Sequence, residues 1–247
     1  HNVVLRAGAE RAVFIAMLVM AGVCHSQEYH FASIEKLTEQ KIGKIIISEV
    51  YNKLNIEVEI TPLPGIRAQV EAATGSKDGE IMRIWTYGLE TPTTIRVPTP
   101  YYYLETMAFV KVNSGIKIDN KEDLRHYSLV KVRGVKHTNN ITEGMPDVYT
   151  IGSTEQMMEF LNDGRADVAL TNTVDGLMAL QKLGFTGIIP LDKPLAVLNL
   201  YHYIHSDHLE LVQEVDAAIK KMKGNGQLKQ LIKQAEKQVL ESKPPGH

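Results

Sequence analysis

The chain has 247 residues, of which 44% are hydrophobic and 23% are charged, the balance of a soluble globular protein. Its formal net charge is −2, and the sequence has no basic run and no alternation of basic with aromatic residues, which argues against nucleic acid or an anionic membrane as a partner. This length suits one large domain or two smaller lobes.

The N-terminal segment has the pattern of a secretory signal peptide. Two arginines precede an uncharged apolar run at 12–23, which is of signal-peptide length and short for a bilayer span. We predict a signal peptide at 1–26 that is cleaved after Ser26, and therefore a periplasmic protein. Cleavage would also remove Cys24, the only cysteine of the chain. Lipidation of Cys24 is the alternative, although the valine before it disfavours that modification.

The next part of the chain alternates strand patterns with helix patterns. Ser33 is positioned to cap a helix whose apolar residues recur at helical spacing up to Val50. A second helix is expected at 66–74, after the turn sequence TPLPG, and Gly75 is positioned to end it. Apolar runs and period-two alternation predict strands at 29–31, 56–60, 79–85 and 106–111.

The second half repeats this order of elements. Ser153 opens STEQ, a capping-box pattern, and the helix that follows is expected to end at Gly164. Further helices are expected at 137–144 and 173–183, and two more reach about residue 240. Strands are predicted at 128–132, 147–151, 166–171, 187–189 and 195–204. The alternation predicts an α/β fold whose mostly parallel sheets are covered on both faces.

A nine-residue pattern occurs once in each half. GSKDGEIMR (75–83) and GRADVALTN (164–172) each place a glycine after a helix, an aspartate three positions later, and then an apolar strand with a polar last residue. We interpret the two copies as matching βαβ corners that end on Arg83 and Asn172. The alternative is that any α/β protein contains such corners.

Five stretches together span nearly the whole chain after the signal segment. They resemble, in the same order, the type-2 periplasmic solute-binding proteins, in particular the polar amino-acid receptors of ABC transporters. The stretches are AATGSKDGEIM, RVPTPYYYLETMAFVK, IDNKEDLRHYSLVKVRGV, EFLNDGRADVALTN and HLELVQEVDAAIKKMKGNGQLKQLI.

The resemblance implies a two-lobed fold, each lobe a mostly parallel sheet flanked by helices, with the ligand cleft between the lobes. Lobe 1 would comprise 27–110 and 195–247, and lobe 2 would comprise 111–194. The two crossing strands would lie near 108–113 and 192–198. The resemblance also implies a monomer that binds a small molecule and has a membrane permease or a sensor as its partner, with no enzyme activity, cofactor or metal.

Two positions depart from the pattern of the amino-acid receptors. Those relatives usually carry an arginine between the first corner strand and the PY loop, where it holds the α-carboxylate of the ligand. This chain has Glu90 and Thr91 near that position, and Arg96 lies later. The receptors also usually carry an aspartate for the ligand ammonium where this chain has Asn172. We therefore expect a small anionic, carboxylate-bearing solute rather than an ordinary amino acid.

Lobe 1 offers arginines and aromatic residues as ligand contacts. Arg83 shares a strand face with Trp85, and a buried guanidinium suits a carboxylate. A salt bridge from Arg83 to Glu80 or Glu105 is the alternative. Arg67 lies in the first turn of its helix, where a cation opposes the helix dipole, so either a ligand contact or an exposed position accounts for it. Aromatic residues are candidate cleft walls, with core packing as the alternative: Phe31, Trp85, Tyr101 and Tyr102.

Lobe 2 offers backbone and side-chain donors. Gly134 and Lys136 follow a strand and open a helix, where free N–H groups attract anions; an exposed loop lysine is the alternative for Lys136. Asn172 ends the second corner strand, and its amide can donate and accept hydrogen bonds. Asp175 lies one turn further along and completes the predicted ligand set.

Three other functions remain open from the sequence. His202, His205 and His208 have a spacing that suits a metal, although they are predicted to lie partly on a strand, where the rings need not converge. A dehydratase-like or lyase-like enzyme on the same fold would use Glu80 or Asp175 as a general acid or base. A sensory role would require a membrane partner.

Overall fold

The computed structural model describes residues 27–242, and the predicted signal segment lies outside that range. Ten strands are present there: β1 Glu28–Ile34, β2 Glu57–Leu63, β3 Gly79–Arg83, β4 Thr94–Arg96, β5 Tyr102–Lys111, β6 Leu129–Val132, β7 Val148–Ile151, β8 Val168–Asn172, β9 Ile188–Pro190 and β10 Ala196–His205. The α-helices are α1 Thr38–Lys53, α2 Gly65–Thr74, α3 Tyr87–Glu90, α4 Lys136–Thr142, α5 Thr154–Asn162, α6 Thr173–Leu183, α7 Leu209–Gly224 and α8 Gln227–Glu241. Within 27–242, no helix combines the length and apolar character needed to cross a membrane.

The strands form a curled sheet with one mostly parallel half in each lobe. The order is β2-β1-β3-β10-β5-β8-β6-β7, with β4 added beside β10 and β9 beside β5. In lobe 1, β1 pairs in parallel with β2 and β3; in lobe 2, β6 pairs in parallel with β7 and β8. The long strands β5 and β10 pair antiparallel with each other and join the halves. This mixed α/β architecture confirms the predicted two-lobed fold class.

The long strand β5 carries the chain from one lobe into the other. Its first part packs in the lobe 1 core through Tyr102 and Leu104, and its last part packs in the lobe 2 core through Met107 and Phe109. Pairing with β8 begins at Thr106. The sequence placed this crossing near 108–113, whereas the strand pairing starts a few residues earlier.

Each lobe buries its own apolar core. The lobe 1 core lies between the sheet and the helices α1, α7 and α8, and its fully buried members include Phe31, Ile46 and Val215. Lobe 2 has an apolar cluster on each face of its sheet, one around Phe109 and the other around Leu124. The cluster around Phe109 also includes Ile34 and Leu37 from the end of β1 and the loop after it, so lobe 1 packs against lobe 2 there.

The repeated corner has the predicted geometry. Gly75 caps α2 in the left-handed conformation with φ 83°, and Gly164 follows α5 with φ 74°. The strands after these turns, β3 and β8, end at Arg83 and Asn172. Glycine accepts a positive φ without the steric cost that a Cβ imposes, so both helices end where the sequence predicts.

The start of α1 differs from the prediction. Ser33 does not cap a helix: it lies within β1, opposite Pro62 in the ladder with β2. The helix begins at Thr38, and its N-cap residue, Leu37, makes no side-chain capping bond. Pairing with β2 extends β1 to Ile34, and this non-local pairing outweighs the local capping preference of Ser33.

Candidate functional site

A cavity of about 140 Å³ lies between the lobes at the carboxyl ends of four strands. We call it the outer cavity. Loops that follow β1 and β2 form its lobe 1 side, and loops that follow β6 and β7 form its lobe 2 side. In open α/β sheets, ligands bind at the carboxyl ends of strands. The residues that line it are Ile34, Glu35, Lys36, Leu37, Pro64, Gly65, Ile66, Val132, Arg133, Gly152, Ser153 and Thr154.

An inner cavity of about 20 Å³ lies deeper between the lobes and shares Ile34 and Leu37 with the outer cavity. Its polar lining comes from both lobes. Glu39, Gln40 and Arg83 belong to lobe 1, whereas Lys136 and His137 belong to lobe 2. Both cavities together form the interlobe cleft.

Arg83 is fixed at the lobe 1 wall of the cleft. It is 3% exposed, its Nε donates to Glu80 Oε1 at 2.8 Å, and its Nη2 donates to the carbonyl oxygen of Gly65 at 2.8 Å. The guanidinium also lies 4.9 Å from the ring centre of Tyr87. Nη1 is buried and has no hydrogen-bond partner within the described chain. Arg83 therefore makes the salt bridge to Glu80 that was the alternative to a ligand contact, and Nη1 still has no partner.

Unpartnered buried polar atoms concentrate around the cleft. Leaving such an atom without a partner costs about 1–3 kcal/mol, so native proteins have few of them. Arg83 Nη1 and Asn172 Nδ2 are donors by their chemistry, and Tyr87 OH can donate. The atoms within residues 27–242 are Glu39 Oε2, Glu80 Oε2, Arg83 Nη1, Tyr87 OH, His137 Nε2 and Asn172 Nδ2. Asn172 lies beside Glu39 and Tyr87 lies beside Glu80, so these groups can partner each other after small movements. Arg83, Glu39 and His137 line the inner cavity, where a bound solute could supply partners.

Asn172 and Glu39 face each other across the cleft. Burial and the nearby Asp175 carboxyl raise the pKa of Glu39. The Asn172 amide lowers this pKa by hydrogen bonding, but by a smaller amount. The net effect raises the pKa of Glu39 to about 8. Glu39 is therefore mostly a neutral acid at pH 7.

Asp175 joins the two lobes and lines a third pocket between them, which at about 910 Å³ is larger than both cavities. Its Oδ1 accepts from the backbone N–H of Thr38 at 3.1 Å and from the Thr38 hydroxyl at 3.4 Å. Its Oδ2 accepts from the hydroxyls of Thr154 and Thr171. Burial raises the pKa of Asp175, while these hydrogen bonds lower it. Thr38 and Thr154 are the first residues of α1 and α5, where the helix dipoles favour a carboxylate.

Three further contacts hold the lobes against each other. The Asn140 amide of lobe 2 donates to the Thr86 hydroxyl of lobe 1 at 3.0 Å. Lys136 forms an ion pair with Glu90, so this predicted ligand cation is engaged by a lobe 1 carboxylate at the edge of the cleft. Gly134 packs so closely on Gly65 that a Cβ on Gly65 would lie 2.6 Å from the Gly134 carbonyl oxygen. The structure is thus a closed arrangement of the lobes.

Comparison with known proteins identifies the fold. No protein-family model matches the chain. An uncharacterized protein of Shewanella oneidensis is 27% identical over 202 residues, which cover 79% of this chain and 76% of that protein. The sensor domain of a histidine kinase, described as similar to periplasmic binding proteins, superimposes with a TM-score of 0.73 at 14% identity, over 84% of this chain and 95% of that one. This chain has the type-2 periplasmic binding protein fold.

A transport protein has the same periplasmic binding protein fold. It is an amino acid ABC transporter substrate-binding protein of Streptococcus pneumoniae bound to L-arginine, and it superimposes with a TM-score of 0.68 at 16% identity, over 87% of this chain and 97% of that one. At these identities the likeness establishes the fold, while the residues that contact a ligand must be read from this chain.

Four of the predicted ligand residues lie away from both cavities of the binding-protein fold. Phe31 is fully buried in the lobe 1 core against Tyr51 and His202. Tyr101 and Tyr102 belong to the same core, where Tyr101 donates to the Ile81 carbonyl and Tyr102 donates to Glu236. Arg67 is on the exposed surface of α2 and pairs with Glu71 at 2.9 Å. Apolar burial explains the first three placements, and helix periodicity explains the fourth.

The remaining predicted residues lie at or near the cleft. Arg83 and Lys136 line the inner cavity, Asn172 ends β8 beside Glu39, and Gly134 forms the close contact between the lobes. Trp85 follows β3, is 48% exposed and carries the Arg96 guanidinium 4.4 Å above its ring.

Sequence reasoning missed Glu39, Tyr87 and His137. His137 is buried, its Nδ1 lies 2.9 Å from the Thr106 hydroxyl, and burial lowers its pKa to about 3. Glu39 was not recognised because the expected helix start at Ser33 placed it in a helix interior. A signal was present: an acidic residue directly after a threonine is common in the first turn of a helix.

The three histidines of the metal hypothesis do not converge. His202 Nε2 lies 2.7 Å from the Tyr51 hydroxyl, and His208 Nε2 lies 2.8 Å from Asp78 Oδ1. In the described part of the chain, ligand atoms gather within 4.8 Å only at the surface trio Glu28, His30 and Glu59, on β1 and β2. The spacing of the histidines therefore reflects separate structural contacts.

Proposed function

We propose that this chain is an extracytoplasmic solute-binding protein that captures a small, carboxylate-bearing solute when its lobes close. The observation that carries the proposal is Arg83: a buried guanidinium at the inner cavity, fixed by two hydrogen bonds, with Nη1 free. A fixed guanidinium suits a carboxylate because its fork is planar and always charged. The ligand oxygen would complete the hydrogen bonding of Arg83.

The surroundings of Arg83 also favour an anion. The Asn172 amide, beside Glu39, is a second donor group. The helices α2 and α5 begin at the rim of the outer cavity, so their N-termini place positive potential there. Glu39 is mostly neutral and His137 is neutral at pH 7, so neither adds a full charge. A carboxylate entering the cleft would meet donors on both lobes.

The partner and the location follow from the same proposal. Proteins of this fold include a transporter component and a kinase sensor domain, so the captured solute would be delivered to a membrane permease or reported to a membrane sensor. Both roles place the chain outside the cytoplasm, in agreement with the signal peptide predicted at 1–26. We expect a monomer, because one chain supplies both walls of the cleft.

Binding is favoured over catalysis by the state of the two candidate catalytic acids. Burial raises the pKa of Glu80, while the ion pair with Arg83 and the neighbouring Tyr87 hydroxyl lower it, so protein groups already surround this carboxyl. Asp175 already accepts four hydrogen bonds. A general acid or base needs a free position facing its substrate. The alternative, a dehydratase-like or lyase-like enzyme, predicts turnover that is lost in Asp175→Asn.

Thermal unfolding of residues 27–247 with a panel of carboxylates, amines and sugars tests the proposal. A carboxylate at a hundred times its Kd is expected to stabilise the chain by about 2.7 kcal/mol, seen as a raised Tm. Arg83→Lys keeps the charge beside Glu80 but loses the fork, so the Tm shift should be greatly reduced. The matched control Arg67→Ala removes an exposed arginine and should keep the full shift. Stabilisation by amines or sugars alone, unaffected by Arg83→Lys, would contradict the proposal.

A further inference from the structure

We propose that Glu39 is held as a neutral carboxylic acid in the closed cleft and thereby selects 2-hydroxy and 2-oxo acids over the corresponding amino acids. The inference rests on the proposed function, since it names the ligand class of the same cleft. It depends on which buried acids could hold an ammonium group. Two acids lie near Asn172 between the lobes: Asp175 and Glu39.

Asp175 has no capacity left for an ammonium group. A carboxylate offers about four acceptor positions. Four donors already occupy those of Asp175: the N–H and hydroxyl of Thr38, and the hydroxyls of Thr154 and Thr171. These donors come from α1, α5 and β8, so a ligand ammonium would have to break a contact between the lobes.

Glu39 lies in a setting that disfavours its charge. It is 3% exposed, and its Oε2 has no hydrogen-bond partner within the described chain. The two neighbouring cations are engaged elsewhere, because Arg83 pairs with Glu80 and Lys136 pairs with Glu90. The titratable side chains around Glu39 are Asp175 on α6, Arg83 on β3, Lys136 and His137 on α4, and Tyr102 on β5. A second anion beside Asp175 would be uncompensated.

A neutral Glu39 changes what the cleft recognises. Its O–H and the second N–H of the neighbouring Asn172 amide are both donors, so they match a hydroxyl or carbonyl oxygen next to a carboxylate held by Arg83. An ammonium group would meet these donors with no anion to balance its charge. Arg83 and Glu39 line the inner cavity of about 20 Å³, which has room for little more than the polar end of a solute. The carbon atoms of the acid would extend into the outer cavity of about 140 Å³, which shares Ile34 and Leu37 with the inner one.

Protonation of Glu39 also makes binding depend on pH. When the lobes open, Asp175 and Asn172 move away from Glu39, and the pKa of Glu39 falls towards its ordinary value. When the lobes close, Glu39 therefore takes up one proton from the buffer. With the pKa raised in the closed state to about 8, affinity is highest at low pH and is lost as pH rises towards 8. His137, neutral when buried, has the opposite effect around and below pH 6.5. Between about pH 6.5 and 8, proton uptake by the neighbouring carboxyls Glu39 and Asp175 exceeds this opposing effect.

Isothermal titration calorimetry with matched ligand pairs tests the inference. Glycolate, L-lactate and pyruvate are titrated against glycine and L-alanine, in two buffers of different ionisation enthalpy. We expect the hydroxy and oxo acids to bind, the amino acids to bind up to about tenfold more weakly at pH 7, and affinity to fall by up to about tenfold per pH unit across the window. Proton uptake, read from the buffer dependence of the enthalpy, should approach one per ligand at pH 7.

Two variants separate the role of Glu39 from the binding function itself. Glu39→Gln keeps the shape without the titratable proton, so its affinity should no longer fall between pH 6.5 and 8. Glu210→Gln, an exposed control, should keep the fall in affinity with rising pH. The role of Glu39 is overturned if amino acids bind as tightly as hydroxy acids, or if the affinity of Glu39→Gln still falls with rising pH. In either case the proposed function itself survives as long as Arg83→Lys weakens binding. Binding of none of the five ligands overturns this inference and counts against the proposed function.

Discussion

At the scale of single residues, breaking the buried ion pair between Arg83 and Glu80 should strongly lower the free energy of unfolding. Both side chains are at most 3% exposed. Arg83→Met leaves the Glu80 carboxylate buried without a counter-charge, and we expect a loss of about 3–5 kcal/mol in the free energy of unfolding at pH 8, measured with urea. The double variant with Glu80→Gln should recover most of that loss. Equal urea midpoints for the single and double variants would contradict a buried pair.

The same residues show how far the sequence could predict the site. Arg83 and Asn172 were found because each ends a corner strand, and the carboxyl ends of strands meet at the cleft. Glu39 and His137 were not found, since their importance depends on closure bringing lobe 2 against lobe 1. Phe31 was assigned to a cleft wall because the sequence does not show which face of β1 packs on Tyr51 and His202.

At the scale of elements, the first residue of β3, Gly79, packs closely against the backbone of β10. Gly79 has φ 151°, and a Cβ there would collide with the backbone carbonyl of Tyr203 on β10. We expect Gly79→Ala to destabilise the chain by about 3 kcal/mol or more, because a backbone clash cannot be relieved by a side-chain rotation. Circular dichroism during thermal unfolding would measure the change.

The control for that prediction is Gly224→Ala at the end of α7, where nothing lies within 4 Å of the added Cβ. It should be neutral or slightly stabilising, because alanine favours helix over glycine. A similar loss of Tm in both variants would show that the fit of β3 against β10 is not the cause.

Element boundaries were predicted well wherever local chemistry decides them. Gly184 in the left-handed conformation ends α6 at Leu183, and the Ser153 side chain accepts from the Gln156 N–H at the start of α5, both as expected. The start of α1 was wrong because pairing between β1 and β2 joins residues far apart in sequence. Local preference at Ser33 carries no information about that pairing.

At the scale of the whole molecule, we expect the two lobes to close on a bound solute. Gly65 and Gly134 face each other across the cleft, and a Cβ on Gly65 would lie 2.6 Å from the Gly134 carbonyl oxygen. Gly65→Ala should therefore block full closure without disturbing either core. Gly187→Ala, with nothing within 4 Å of the added Cβ, is the matched control.

Small-angle X-ray scattering of residues 27–247, with and without the carboxylate that raises the Tm most, tests this claim most directly. We expect the radius of gyration to fall on ligand addition for the native chain and for Gly187→Ala. For Gly65→Ala the fall should be absent or much smaller, and binding should be weaker. An unchanged radius of gyration in the native chain at saturating ligand, or full compaction in Gly65→Ala, would contradict capture by lobe closure.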